Sequence, residues 1–189
     1  MAIPFNGSVM RRVWAVALAL TTATPAVAQM TSEAQPEVVE AMSRLEMMVG
    51  EWTGTSTTRL GSDREQTSQV VELAEFRLGG EMLVVEGRGT MDIGGEDRVI
   101  HHAFGAVTYD AAADGYRMRS YRAGQGWVDA DLVVAGPTVR WTLESPAGTI
   151  RFTADFSEPD RWIETGELER GGQWVQFLRM ELDRVGPSE

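Results

Sequence analysis

Cysteine and lysine are both absent from the 189 residues, and histidine occurs only twice. Without thiols there is no disulfide, no thiolate metal site, no cysteine nucleophile and no cysteine-linked lipid. Without lysine there is no Schiff-base or P-loop ammonium group, so all 17 basic residues are arginine. Long apolar runs are missing as well. Val13 to Leu20 is far shorter than the roughly 20 residues a membrane-spanning helix needs, and no later stretch is long enough, so no permanent membrane anchor is expected. Positive charge is scarce: 28 acids set the net charge at −11. That balance disfavours nucleic acid and anionic lipid as partners and serves solubility.

What is present at the start of the chain is an export pattern. Basic Arg11-Arg12 precedes the apolar run, and Ala26-Val27-Ala28 before Gln29 is a small-x-small cleavage signature. Val13-Trp14 is a poor continuation of a twin-arginine motif, so export unfolded, with folding outside, is expected. Residues 1–28 are expected to be a signal peptide cleaved near Ala28, placing the mature protein in the periplasm of a Gram-negative bacterium. Cleavage removes two arginines and no acids, leaving 15 bases against 28 acids, or −13. Residues 29–36 read as a polar, disordered linker, and 37–187 as one domain.

Pro36 opens a helical pattern through Val38, Val39, Met42, Leu45, Met48 and Val49, which Gly50 ends. Beyond it, turn signals interrupt short alternating segments: Gly61-Ser62-Asp63, Gly79-Gly80, Gly94-Gly95, Asp114-Gly115, Gly124-Gln125-Gly126, Gly136-Pro137, Pro146-Ala147-Gly148, Pro159-Asp160 and Gly171-Gly172. These predict about ten strands in an all-β, antiparallel up-and-down barrel after one short N-terminal helix; closure removes the edges a flat sheet would leave. Alternation predicts inward faces for Val128, Ala130, Leu132 and Val134, for Val139, Trp141 and Leu143, and for Ile150, Phe152, Ala154 and Phe156. On the last strand it puts Trp174, Gln176, Leu178, Met180 and Leu182 inward, with Val175 and Phe177 outward. Glu164 shares the face of Trp162 and Leu168, and an inward carboxylate needs a partner or a wet cavity. Arg122, Gln176 and a buried water are all open as partners.

Leu45 to Gly54 carries a Gly-x-Trp-x-Gly signal, Gly50-Glu51-Trp52-Thr53-Gly54, at the start of the first strand. With Leu78-Gly79-Gly80-Glu81, Gly105 to Asp110 followed by Gly115-Tyr116, and Arg179 to Arg184, it resembles the lipocalin-like (calycin) barrels. More narrowly, it resembles bacterial secreted families of unknown function related to the haem-binding nitrobindin-type barrel. The resemblance spans the mature domain and implies a barrel whose first-strand Trp52 closes one end beneath Arg184 of the last strand. Trp52 as a ligand-stacking platform is the alternative. The family's haem iron is held by a late-chain histidine, and Trp174 to Arg184 contains none, so no cofactor is expected, with haem left open as a subcase of interior binding. His101 and His102, as strand neighbours, point to opposite faces and cannot jointly grip one metal. At most one lines the cavity, and the pattern does not choose between them.

Asp97, His101, His102 and Asp110 supply the letters of a hydrolase triad without a Gly-x-Ser-x-Gly elbow. Asp129/Asp131 and Glu167/Glu169 read as solvated outer faces, and Gly87-Arg88-Gly89 as turns or strand ends. Met82, Met118 and Met180 are cavity candidates. The resulting expectation is a binding module, not an enzyme, that takes a small apolar or amphipathic molecule into an interior lined by Trp141, Phe152, Trp162, Glu164, Trp174, Gln176, Met180 and one of His101 and His102. No metal site is expected. Two alternatives differ in class. One is an interaction or envelope-associated barrel, in one version a homodimer, touching its partner through Val175 and Phe177; the other is a weak hydrolase or isomerase using His101 or His102.

Overall fold

The computed structural model describes residues 33–59 and 65–186. The expected leader, residues 29–32 of the expected linker and the Gly61-Ser62-Asp63 turn lie outside the described residues.

Helix α1 covers Pro36–Ser43, shorter than the apolar periodicity predicts. Its last bonds tighten to the three-residue spacing, from Arg44 N–H to the Ala41 carbonyl at 3.3 Å and from Leu45 N–H to that of Met42 at 2.9 Å, and a 3₁₀ turn at Glu46–Met48 follows. The tighter winding still buries Val38, Met42, Leu45 and Met48 together. Gln35 donates its backbone N–H to Glu81 at 2.6 Å, which ties the helix entry to the barrel.

Ten strands follow: β1 (Gly50–Thr58), β2 (Gln66–Arg77), β3 (Met82–Asp92), β4 (Asp97–Asp110), β5 (Gly115–Arg122), β6 (Gly126–Ala135), β7 (Thr138–Ser145), β8 (Gly148–Asp155), β9 (Arg161–Arg170) and β10 (Gln173–Arg184). Each pairs antiparallel with its neighbours in sequence, and β10 returns to β1, from Trp52 opposite Arg184 to Thr58 opposite Leu178, to close the barrel. The predicted turns fall between the strands. At the β9–β10 hairpin both Gly171 and Gly172 have positive φ, 60° and 79°, the twist a two-residue hairpin requires.

Two β-bulges change which way side chains point. In the β3–β4 ladder Gly89 faces His101 while Thr90 faces Val99, so Ile100 is the extra residue. In the β9–β10 ladder Glu167 faces Gln176 while Gly166 faces Leu178, so Phe177 is the extra residue. A bulge adds one residue to one strand and inverts parity beyond it.

One end of the barrel is packed solid. Trp52 is 1% exposed and meets Phe156 and Trp162 edge-on, each with ring centroids 5.8 Å away. Its indole N–H donates to the Met48 carbonyl at 2.8 Å, and the Arg184 guanidinium lies 4.0 Å above the ring. Such enclosure leaves Trp52 no face for a ligand. Helix α1 lies near this end, where the Tyr116 hydroxyl donates to the Ala41 carbonyl at 2.6 Å.

Candidate functional site

Away from the packed end, the inward face of β1 to β5 carries many small residues. Gly54, Ser56, Ser68, Gly87, Gly89, Ala103, Gly105 and Ser120 share it with His101 and Arg122. Gly87 and Gly89 are therefore interior positions of a strand, not turns or strand ends. The opposite wall, β6 to β10, is apolar: Trp141 stacks on Phe152 with centroids 5.4 Å apart, and Phe152 meets Phe177 edge-on at 6.1 Å. Met118, Ser120, Trp141, Leu143, Ile150 and Phe152 point inward and keep part of their surface accessible.

Two carboxyls sit within this interior. Glu72 is 9% exposed and stands opposite Gly87 across the β2–β3 ladder, where a Cβ would overlap the carboxyl group. Glycine at 87 is what gives that carboxyl its place. Burial, reinforced by the charge of Glu164, pushes the Glu72 pKa up to about 8. Glu164, opposite Met180 and Ala154, points inward and keeps some accessible surface. Burial raises its pKa to about 7, offset in part by the Trp162 indole N–H turned toward it. That N–H completes no hydrogen bond of good geometry. The Ser68 hydroxyl is turned to the Ser56 carbonyl at 3.4 Å. Neither carboxyl has a cationic partner: Arg122 reaches Gln125 at 3.3 Å, and Arg184 is held at the packed end by Asp160 and the Val49 carbonyl.

The other sequence candidates separate by face. Trp162, Phe152, Trp141 and Met180 point inward, as does His101, whose pKa is lowered by burial and then by Arg122 and His102. His102 points outward and lies 2.8 Å from Glu86. Trp174 and Gln176 are not in the interior. The bulge at Phe177 turns both outward, and Trp174 lies under the Arg151 guanidinium at 4.1 Å on the outer face. The same bulge carries Phe177 inward against Phe152, so it is no outer contact residue. Asp129 and Asp131 lie outside, facing Arg119 and Arg117, and Glu167 binds Arg151 at 2.7 Å. Among the described residues no group of three or more metal-ligating side chains occurs.

Glu72 escapes sequence reading because apolar Val71 and Leu73 flank it on the outer face, so β2 shows no clean alternation. The signal that marks it is the glycine directly opposite, which needs the strand register to be seen.

No family model matches the sequence, and no curated protein matches it significantly. Solved structures do resemble it. Rv2717c from M. tuberculosis has a TM-score of 0.57 at 12% identity, with 77% of this chain and 98% of that one covered. The S-type phycobiliprotein lyase CpeS from Guillardia theta has a TM-score of 0.53 at 11% identity, with 80% and 94% covered. At such identities the likeness is one of fold. The chain folds as a closed antiparallel β-barrel of ten strands, and these structures share that fold.

Proposed function

We propose that this is an exported barrel that binds a small amphipathic molecule in its interior. One observation carries the reading: inward aromatic and polar side chains of the closed barrel, Ser120, Trp141 and Phe152 among them, retain accessible surface. The likeness to a phycobiliprotein lyase supports a barrel that handles another molecule. Residues 1–28 supply the export signal in this proposal. Haem plays no part in it, since the stretch Trp174 to Arg184 holds no histidine.

Native mass spectrometry of the protein from its own exported pool tests the proposal. The expected result is a polypeptide beginning at Gln29 that carries a discrete extra mass, lost on denaturation. A bare native mass would overturn the reading. Gly105 supplies a control, because a Cβ there meets nothing closer than 3.8 Å and sits in ordinary contact. Gly105→Leu should fold, fill the space with its side chain and lose the extra mass.

A second reading has one observation behind it. On the outer face Phe104, Tyr121 and Trp127 lie side by side across β4, β5 and β6, at 42%, 42% and 56% exposure. Exposed aromatic rows of this kind mark contact surfaces. Sedimentation velocity showing a mass that rises with concentration would support this interaction role; an invariant monomer would exclude the homodimer.

A further inference from the structure

We infer that the outer face of β2 to β6 is a two-fold dimer surface, on which Trp127 of one copy enters a groove over β2 to β4 of the other. The inference rests on the interaction reading above and names its partner, a second copy of this chain. The groove holds about 600 Å³ and is lined by Val71, Leu73, Glu86, Arg88, Val99 and His102. It lies on the same row of the sheet as the exposed aromatics, because Leu73 pairs with Glu86, Glu86 with Phe104, Phe104 with Tyr121 and Tyr121 with Trp127. The centre of the groove on β3 and the protruding indole on β6 are thus three strands apart, about 14 Å at the usual strand spacing. A two-fold axis running along the strands between β4 and β5 lies midway between them. Rotation about it carries each Trp127 onto β3 of the other copy and sets each Phe104 against the other copy's Tyr121. Every contact then forms twice, as an isologous interface requires.

The chemistry of the two halves matches. Glu86 is engaged by His102 at 2.8 Å, whereas Arg88 forms no ion pair with a described residue, which leaves a guanidinium in the groove for an aromatic face. Trp127 is already held for docking, with Tyr121 edge-on at 5.1 Å and the Arg119 guanidinium 5.1 Å from its ring, so little side-chain freedom is lost on contact. Charge also selects this face. The chain carries −11 overall, which opposes self-association, yet here Arg88, Arg117 and Arg119 stand among Glu86, Asp129 and Asp131, and the signs balance. Like copies can therefore meet at this face. The five strands with their side chains offer a footprint of about 25 by 20 Å, so a dimer would bury roughly 1,000 Å² in total, the lower bound for a specific interface. A small molecule in the groove would leave the aromatic row bare. A second copy covers both.

Sedimentation equilibrium of the mature protein and three variants tests this. The mass should rise from one copy to two and stop there, with a dissociation constant of about 10 μM, as expected of an interface near the lower size limit. Trp127→Ala removes the indole and Arg88→Glu sets a second acid beside Glu86, so each should weaken the dimer about tenfold or more. Trp174→Ala removes an exposed indole from β10, outside the surface, and should leave the dimer unchanged. Thermal unfolding of each variant confirms that it folds. A dimer that neither Trp127→Ala nor Arg88→Glu weakens, or a mass that climbs beyond two copies, would overturn this surface while an interaction role stands. A monomer at every concentration would overturn the second copy as occupant and the homodimer reading with it. A different protein, retained by the wild type and lost with Trp127→Ala, would then hold its place.

Discussion

Urea unfolding at pH 8 is expected to find the protein several kcal/mol less stable than at pH 5.5, the reverse of the usual gain on leaving acid. Glu72 and Glu164 set the sign. In the unfolded chain both titrate near 4.5, whereas in the barrel they hold their protons to about 8 and about 7. Between those values the native state binds more protons than the unfolded one, so stability falls as pH rises. The contribution is complete below the unfolded pKa and is lost as pH rises through the folded values. From pH 5.5 to 8 it amounts to about 3 kcal/mol for Glu72 and about 2 kcal/mol for Glu164, at about 1.4 kcal/mol for each pH unit. His101 works the other way, because its lowered pKa favours the native state as pH rises through the unfolded histidine value near 6.5. One histidine offsets only part of the loss. Glu72→Gln should flatten the profile the most, and Glu164→Gln by less. A wild-type stability that is flat or rising from pH 6.5 to 8 would mean that the two carboxyls are solvated, and the site would lose its main feature.

Much of this arrangement is legible in the sequence, and the exceptions have physical causes. Glycine and proline pairs punctuate the chain because tight hairpins demand particular backbone angles, so the strand count follows from composition. Inward faces follow wherever alternation is regular, as in β7 and β8. Parity fails at the bulges, since one extra residue inverts every side chain beyond it without leaving a mark in hydropathy. This is how Trp174 and Gln176 come to lie outside and Phe177 inside. The candidate site divides in the same way. Glu164 is legible because Trp162 and Leu168 flank it on one face, whereas Glu72 needs knowledge of which glycine lies across the ladder. Interior glycines are the least legible of all, because in sequence they look like turns. Here they make room.

The closed end is expected to be the most sensitive part of the molecule to substitution. Trp52→Ala should cost about 3–5 kcal/mol, since it removes a buried indole from contact with Phe156, Trp162 and Arg184. Arg184→Ala should cost about 3 kcal/mol or more through a different set of losses. Its guanidinium stacks on Trp52, donates to the Val49 and Met47 carbonyls and binds Asp160 at 2.9 Å. Each carbonyl left behind at the junction of the 3₁₀ turn and β1 loses its donor. Arg184→Lys should recover little, because an ammonium cannot lie flat on the indole and reach both carbonyls and a carboxylate together. Gly50 belongs to the same device. Its φ of 137° is open to glycine, and a Cβ would come within 2.5 Å of the guanidinium, so Gly50→Ala should resemble Arg184→Ala in direction. Chemical denaturation of the four variants measures all of this on one scale. If Arg184→Ala costs no more than a surface substitution, about 0.5 kcal/mol, then the arginine does not close the barrel.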